Sequence, residues 1–267
     1  MTRTLDASVR VTADEPMHGI LREAFADLVE AAPTAPGSLT EVVWGADGEG
    51  RWLLTVDGNG YVSAGDIGGT LAEAIIGLNR RAAESVADRC IPLHAGMFAV
   101  DGRGVAVTGR SGAGKSTLVA AAALEGHGFV ADEVCAIGDD FVVRPYHRPI
   151  GLRTSGAAAI GVEIPVHDDG RYRTVYPWAA GRHTSLAGPT PLTLVALLTR
   201  RAGAVEVERV APVDALVRLS GLTLGAEGHA RSTFRGLERL AREIEVVELR
   251  YENSRAAVEQ LAVMATR

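Results

Sequence analysis

Eight consecutive residues, Gly109-Arg110-Ser111-Gly112-Ala113-Gly114-Lys115-Ser116, have the types and spacing that hold phosphate. They fit G-x-x-x-x-G-K-[ST], in which glycines let backbone amides converge on an anion and the following helix adds its positive end. Lys115 would bring a point charge to the β and γ phosphates of a nucleoside triphosphate, and the Ser116 hydroxyl would face Mg²⁺. A β-branched apolar run (105–108) precedes the loop and a run of helix formers (117–124) follows it, the context the motif requires. Lys115 is the only lysine among 27 basic residues. Arginine serves everywhere else, so this position selects the compact ammonium that a guanidinium does not imitate.

A second group follows the loop helix. Phe129-Val130-Ala131 reads as a strand ending in Asp132-Glu133. Acids at the carboxyl end of a strand beside a phosphate loop are placed to reach the metal and the transferring phosphoryl group. Residues 144–153, extended by prolines, carry Arg144, Arg148 and Arg153, a segment suited to clamping phosphates or a carboxylate. The expected phosphate-contacting set is therefore the eight loop residues with Thr117 and Arg148. His167-Asp168-Asp169 reads as a turn rather than a metal cluster.

These residues need a frame. Strand 93–100, an Asp101-Gly102 turn and strand 105–108 predict a hairpin immediately ahead of the loop, and so a mixed rather than all-parallel sheet. Downstream, the pattern predicts a hairpin over 134–143 and a buried strand 192–198 paired with 205–210. Helices are expected at 212–219 and 234–243, then a strand at 245–250 and a closing helix 255–265 capped by Ser254. Residues 163–188 are polar and irregular, a candidate mobile loop. Residues 1–88 show no chemistry: a strand at 7–12, a helix at 15–31, a three-stranded meander and a helix at 67–87. We read them as a small α/β N-terminal module ahead of a second domain, 89–267.

Composition narrows the class. A formal charge of −6 gives no support to nucleic-acid binding, and no run of eighteen apolar residues suggests a membrane span. Cys90 and Cys135 have neither metal-ligand nor disulfide-framework spacing, and the first residues lack a signal peptide's apolar core, so a cytoplasmic protein is expected. With one lysine in the chain, no N/T-K-x-D guanine motif exists, which favours adenine.

Around these residues the chain resembles the HPr kinase-like family, whose fold is related to that of phosphoenolpyruvate carboxykinase. The resemblance rests on His94, the hairpin, the glycine-rich loop, and Glu125-Gly126-His127-Gly128-Phe129-Val130-Ala131-Asp132-Glu133. It implies an α/β P-loop kinase core over 89–267, with ATP and Mg²⁺ and transfer of the γ-phosphoryl group to a serine hydroxyl. By position, Asp132 would be the general base, hydrogen-bonded to His94, with Lys115 on the phosphates and Glu133 and Ser116 holding Mg²⁺. The family also tends to form homo-oligomers. Thr117 stands where HPr kinases place Glu, and Glu133 where they place Asp. Shorter relatives phosphorylate serine on ribosomally made precursor peptides, or free serine. Three readings stay open: a kinase for a peptide or small protein, a small-molecule kinase, and a non-catalytic ATP-binding regulator.

Overall fold

Apolar alternation near the N-terminus builds a five-stranded sheet of β1 (Thr2–Thr4), β2 (Ala7–Ala13), β3 (Leu39–Ala46), β4 (Trp52–Val56) and β5 (Asn59–Tyr61), in that spatial order. β2 and β3 run parallel, which requires a crossover, and helix α1 (Met17–Ala24) lies in it. The computed structural model describes residues 2–5, 7–15, 17–28, 39–46, 52–56, 58–61, 67–164, 176–225 and 228–267. The helix expected over 15–31 is shorter: it ends at Ala24, a 3-10 turn follows at Ala26–Leu28, and 29–31 lie outside the described residues. Helix α2 (Ile67–Glu84) then leads into the second sheet.

That sheet has nine strands: β6 (Ile91–Leu93), β7 (Ala95–Val100), β8 (Arg103–Thr108), β9 (Gly128–Ala131), β10 (Cys135–Ile137), β11 (Val142–Arg144), β14 (Thr190–Arg200), β15 (Glu206–Arg209) and β16 (Glu245–Tyr251). β12 (Ile150–Leu152) and β13 (Tyr176–Trp178) pair separately, so the second half of the expected irregular segment 163–188 contains a strand. His167, Asp168 and Asp169 lie outside the described residues. The remaining helices are α3 (Lys115–Leu124), α4 (Thr154–Ile160), α5 (Pro212–Ser220), α6 (Ala230–Glu243) and α7 (Ser254–Ala265).

The sheet is mixed, as the hairpin required. β7 and β8 pair antiparallel through Asp101 and Gly102, at φ 48° and 77°, the left-handed pair that matches strand twist. β8 and β16 flank β14 in parallel, and β9 lies antiparallel on the far side of β7. β15 pairs with β16 and not, as expected, with β14. β14 already has a parallel neighbour on each side over 194–197, while the solvated side chains of β15 suit an edge. The α7 cap is Asn253 rather than Ser254: its Oδ1 accepts from the Arg255 and Ala256 amides at 2.9 and 3.1 Å.

One apolar core joins both sheets. Trp44 and Leu54 of the first, Leu71, Ala74, Leu78 and Ala82 of α2, and Leu93 and Ile137 of the second belong to a single buried cluster. A second cluster packs α3 between the other face of the sheet, β12 and α7. Among the described residues no helix is long and apolar enough to cross a membrane.

Candidate active site

The site occupies a gap in a ladder. β6 and β7 form nearly continuous chain, as do β9 and β10, and the two runs pair antiparallel. Leu93 lies opposite Cys135 and Met97 opposite Ala131, so the register is the same on both sides of the gap. The residues between, 94–96 and 132–134, are released from the ladder, and they include His94, Asp132 and Glu133. The His94 backbone is pinned nonetheless: its amide donates to the Leu222 carbonyl and its carbonyl accepts from Thr108 Oγ1, both at 2.7 Å. β8 runs parallel to β9 and opposite to β7, so the glycine-rich loop, the acids and His94 emerge at one sheet edge.

The loop is held from below. Gly114 has φ 95°, and a Cβ there would collide with the Tyr251 hydroxyl at the end of β16. That hydroxyl donates to the Ala113 carbonyl at 2.8 Å, and burial pushes its pKa up to about 12, which keeps it a neutral donor. Lys115 opens α3, is 6% exposed, and donates to the Gly109 carbonyl at 3.1 Å. Burial lowers its pKa, with Glu133 and Asp132 opposing. Arg110 and Ser111 are exposed, and Ser111 lines the cavity described below.

The two acids face different ways. Asp132 is fully buried, with Ser116 Oγ 3.2 and 3.1 Å from its carboxylate oxygens and Arg148 Nη2 at 2.8 Å. Room for it comes from Gly96, where a Cβ would lie 3.3 Å from Asp132 Oδ1 and 2.5 Å from Val119 Cγ2. Burial raises its pKa to about 6 against the opposing charge of Arg148. Glu133 takes a left-handed turn, φ 71°, rare for a residue with a side chain, and its carboxylate points into the cavity with 30% exposure. His94 Nε2 lies 3.6 Å from Glu133 Oε2, and burial lowers the imidazole's pKa. The expected hydrogen bond from His94 to Asp132 is therefore replaced by a pairing with Glu133, because the turn at Glu133 sends Asp132 inward to α3. Ser116, expected to share Mg²⁺ with Glu133, lies within hydrogen-bond distance of Asp132. Arg148, expected on the phosphates, directs Nε and Nη2 to the Asp132 carbonyl and carboxylate and lies 3.8 Å from Glu133.

A cavity of about 400 Å³ opens over this edge, lined by His94, Lys115, Ser116, Glu133 and Arg148. No family model and no curated protein matches the chain. Among solved structures, an HPr(Ser) kinase/phosphatase from Coxiella burnetii aligns over 66% of this chain and 95% of its own, at 14% identity and a TM-score of 0.35. The chemistry rests on the cavity's own residues.

Those residues fit a magnesium triphosphate. Ser116 Oγ and the Glu133 carboxylate line the cavity as hard oxygens, the Asp132 carboxylate lies buried behind Ser116, and a buried ammonium stands beside them. Among the described residues no cluster of three or more His, Cys, Asp or Glu could cage a metal, but Mg²⁺ commonly takes one or two carboxylates with phosphate and water. Sequence reading missed several members: Gly96, Tyr251, Arg200 at the end of β14, and the α2 residues of the cavity wall. Only Gly96, a glycine inside a strand pattern, left a local signal.

Proposed function

We propose that this chain is a Mg²⁺-ATP-dependent phosphotransferase that phosphorylates a serine-type hydroxyl on a peptide or small protein. The five-stranded sheet with α2, residues 1–88, is its accessory module, and 89–267 its P-loop kinase core. The observation that supports this most directly is the pairing of a buried acid on Ser116 with an accessible acid on His94, both beside Lys115. Nucleotide binding alone needs no accessible base.

The roles divide by exposure. Lys115 meets the phosphates, and Ser116 with Asp132 would hold Mg²⁺, Asp132 orienting the hydroxyl. Bound Mg²⁺-ATP would supply the γ-phosphoryl group and the ion that offsets its charge. Glu133 takes the acceptor's proton as the new O–P bond forms and the bond to the β–γ bridging oxygen breaks, leaving ADP. His94 and Arg148 position the Glu133 carboxylate from either side.

The test is transfer of label from γ-labelled Mg²⁺-ATP to serine peptides, an HPr-type protein and free serine, with nucleotide binding measured separately. Glu133→Gln should lower transfer by about 10²–10⁴-fold while ATP still binds. Asp132→Asn should mainly raise the Mg²⁺ concentration needed for half-maximal rate. An inactive Asp132→Asn beside an active Glu133→Gln would return the base to Asp132. ATP binding with no acceptor labelled would favour a regulatory ATP-binding protein.

A further inference from the structure

Helix α2 carries three faces where a surface helix needs two. Ala74, Leu78 and Ala82 are buried in the core shared by both sheets. Glu73, Arg80 and Glu84 face solvent, with Arg80 and Glu84 3.8 Å apart. The third face, Ala72, Ile75, Ile76 and Asn79, lines the cavity, and Ile76 is 61% exposed there. Two isoleucines thus stand across the cavity from an ammonium, a guanidinium and a carboxylate.

The position of this wall says which occupant it meets. Tyr146 bridges to Ala131, the last residue of β9, and its amide donates to the Val130 carbonyl at 2.9 Å. Its hydroxyl donates to Asn79 Oδ1 at 3.2 Å, which ties the third face of α2 to the strand that ends in the two acids. Leu198 and Tyr251, which stand against the loop, and Arg200, which lines the cavity, come from β14 and β16 on the opposite side of β8. The apolar wall therefore stands on the proton-accepting side of the phosphate loop.

We propose that Ala72, Ile75 and Ile76 form the acceptor-binding wall, and that it selects a peptide in which the serine has an aliphatic neighbour. This rests on the transfer reading above and names its acceptor class. Free serine has no neighbouring side chain to lay against the wall, whereas an aliphatic residue beside the serine would cover Ile76 and remove apolar surface from water.

Two readouts keep the wall and the transfer separable. The first is equilibrium binding of serine-centred nonapeptides, with leucine or aspartate flanking the serine, to protein loaded with Mg²⁺ and a non-hydrolysable ATP analogue. Wild type should bind the leucine peptide about tenfold tighter. Ile76→Asp should erase that preference and Ile76→Ala reduce it, with affinity for the analogue unchanged in both. The second is label transfer to the leucine peptide, where Ile76→Asp should raise KM about tenfold and leave kcat in place. No preference in wild type, a preference or KM that survives Ile76→Asp, or a loss of analogue affinity instead would each overturn the proposal, the last by assigning the wall to the nucleotide base. Selective peptide binding without label transfer would leave the wall standing and remove the kinase.

Discussion

Asp132 has no contact with solvent and rests between a guanidinium, a hydroxyl and the bare backbone of Gly96. Burial raises its pKa from an ordinary 3.8 to about 6. Between those values the folded chain holds a proton at this site that the unfolded chain has lost. Stability from Asp132 is thus fully present below about 3.8 and declines as pH rises through about 6. Asp132→Asn removes the titration. Its stability relative to wild type should therefore improve between pH 4 and 7, by up to roughly 1 kcal/mol per pH unit, in paired urea melts. A stability difference that stays flat with pH would mean the carboxyl is ionised throughout. His94, lowered by burial, is neutral at pH 7, so transfer should show no loss on raising pH from 7 to 8.

At the scale of elements, the site depends on two places where chain approaches chain too closely for a Cβ. Gly96→Ala would press on Val119 of α3, an overpacking of about 1–3 kcal/mol, and push against the Asp132 carboxylate. We expect a lowered Tm together with a higher Mg²⁺ requirement for transfer. Gly114→Ala meets both a left-handed backbone and the Tyr251 hydroxyl. Tyr251→Phe alone should cost about 1 kcal/mol, through the lost bond to the Ala113 carbonyl. In that background Gly114→Ala should cost less than in wild type. Equal costs in a double-mutant cycle would assign the whole effect to backbone strain.

Over the whole molecule, the five-stranded sheet and the nine-stranded sheet share one core through α2. Residues 89–267 expressed alone would lose the part of that core supplied by α2 and the first sheet. Such a fragment should bind ANS and melt earlier and less cooperatively than the full chain. A fragment with an unchanged Tm would show that α2 packs without stabilising. The same arrangement makes α2 a wall of the cavity, although the first 88 residues carry no catalytic residue type in a recognisable pattern.

Much of the fold's local plan was legible. The glycine-rich loop, its strand and helix, the Asp101-Gly102 hairpin and the Asp132-Glu133 pair are each written in a few adjacent residues, and adjacency is what periodicity and turn chemistry report. The sequence by itself therefore determined the glycine-rich loop with its single lysine, the acid pair and the mixed character of the sheet. Tertiary structure alone decided which acid turns inward and which meets His94. That choice depends on a left-handed turn at Glu133 and on a ladder gap between segments nearly forty residues apart. It also decided that Tyr251 supports the loop from 138 residues away, and that α2 faces the cavity. Such contacts are set by strand direction and register over long separations, which no local pattern of side chains encodes.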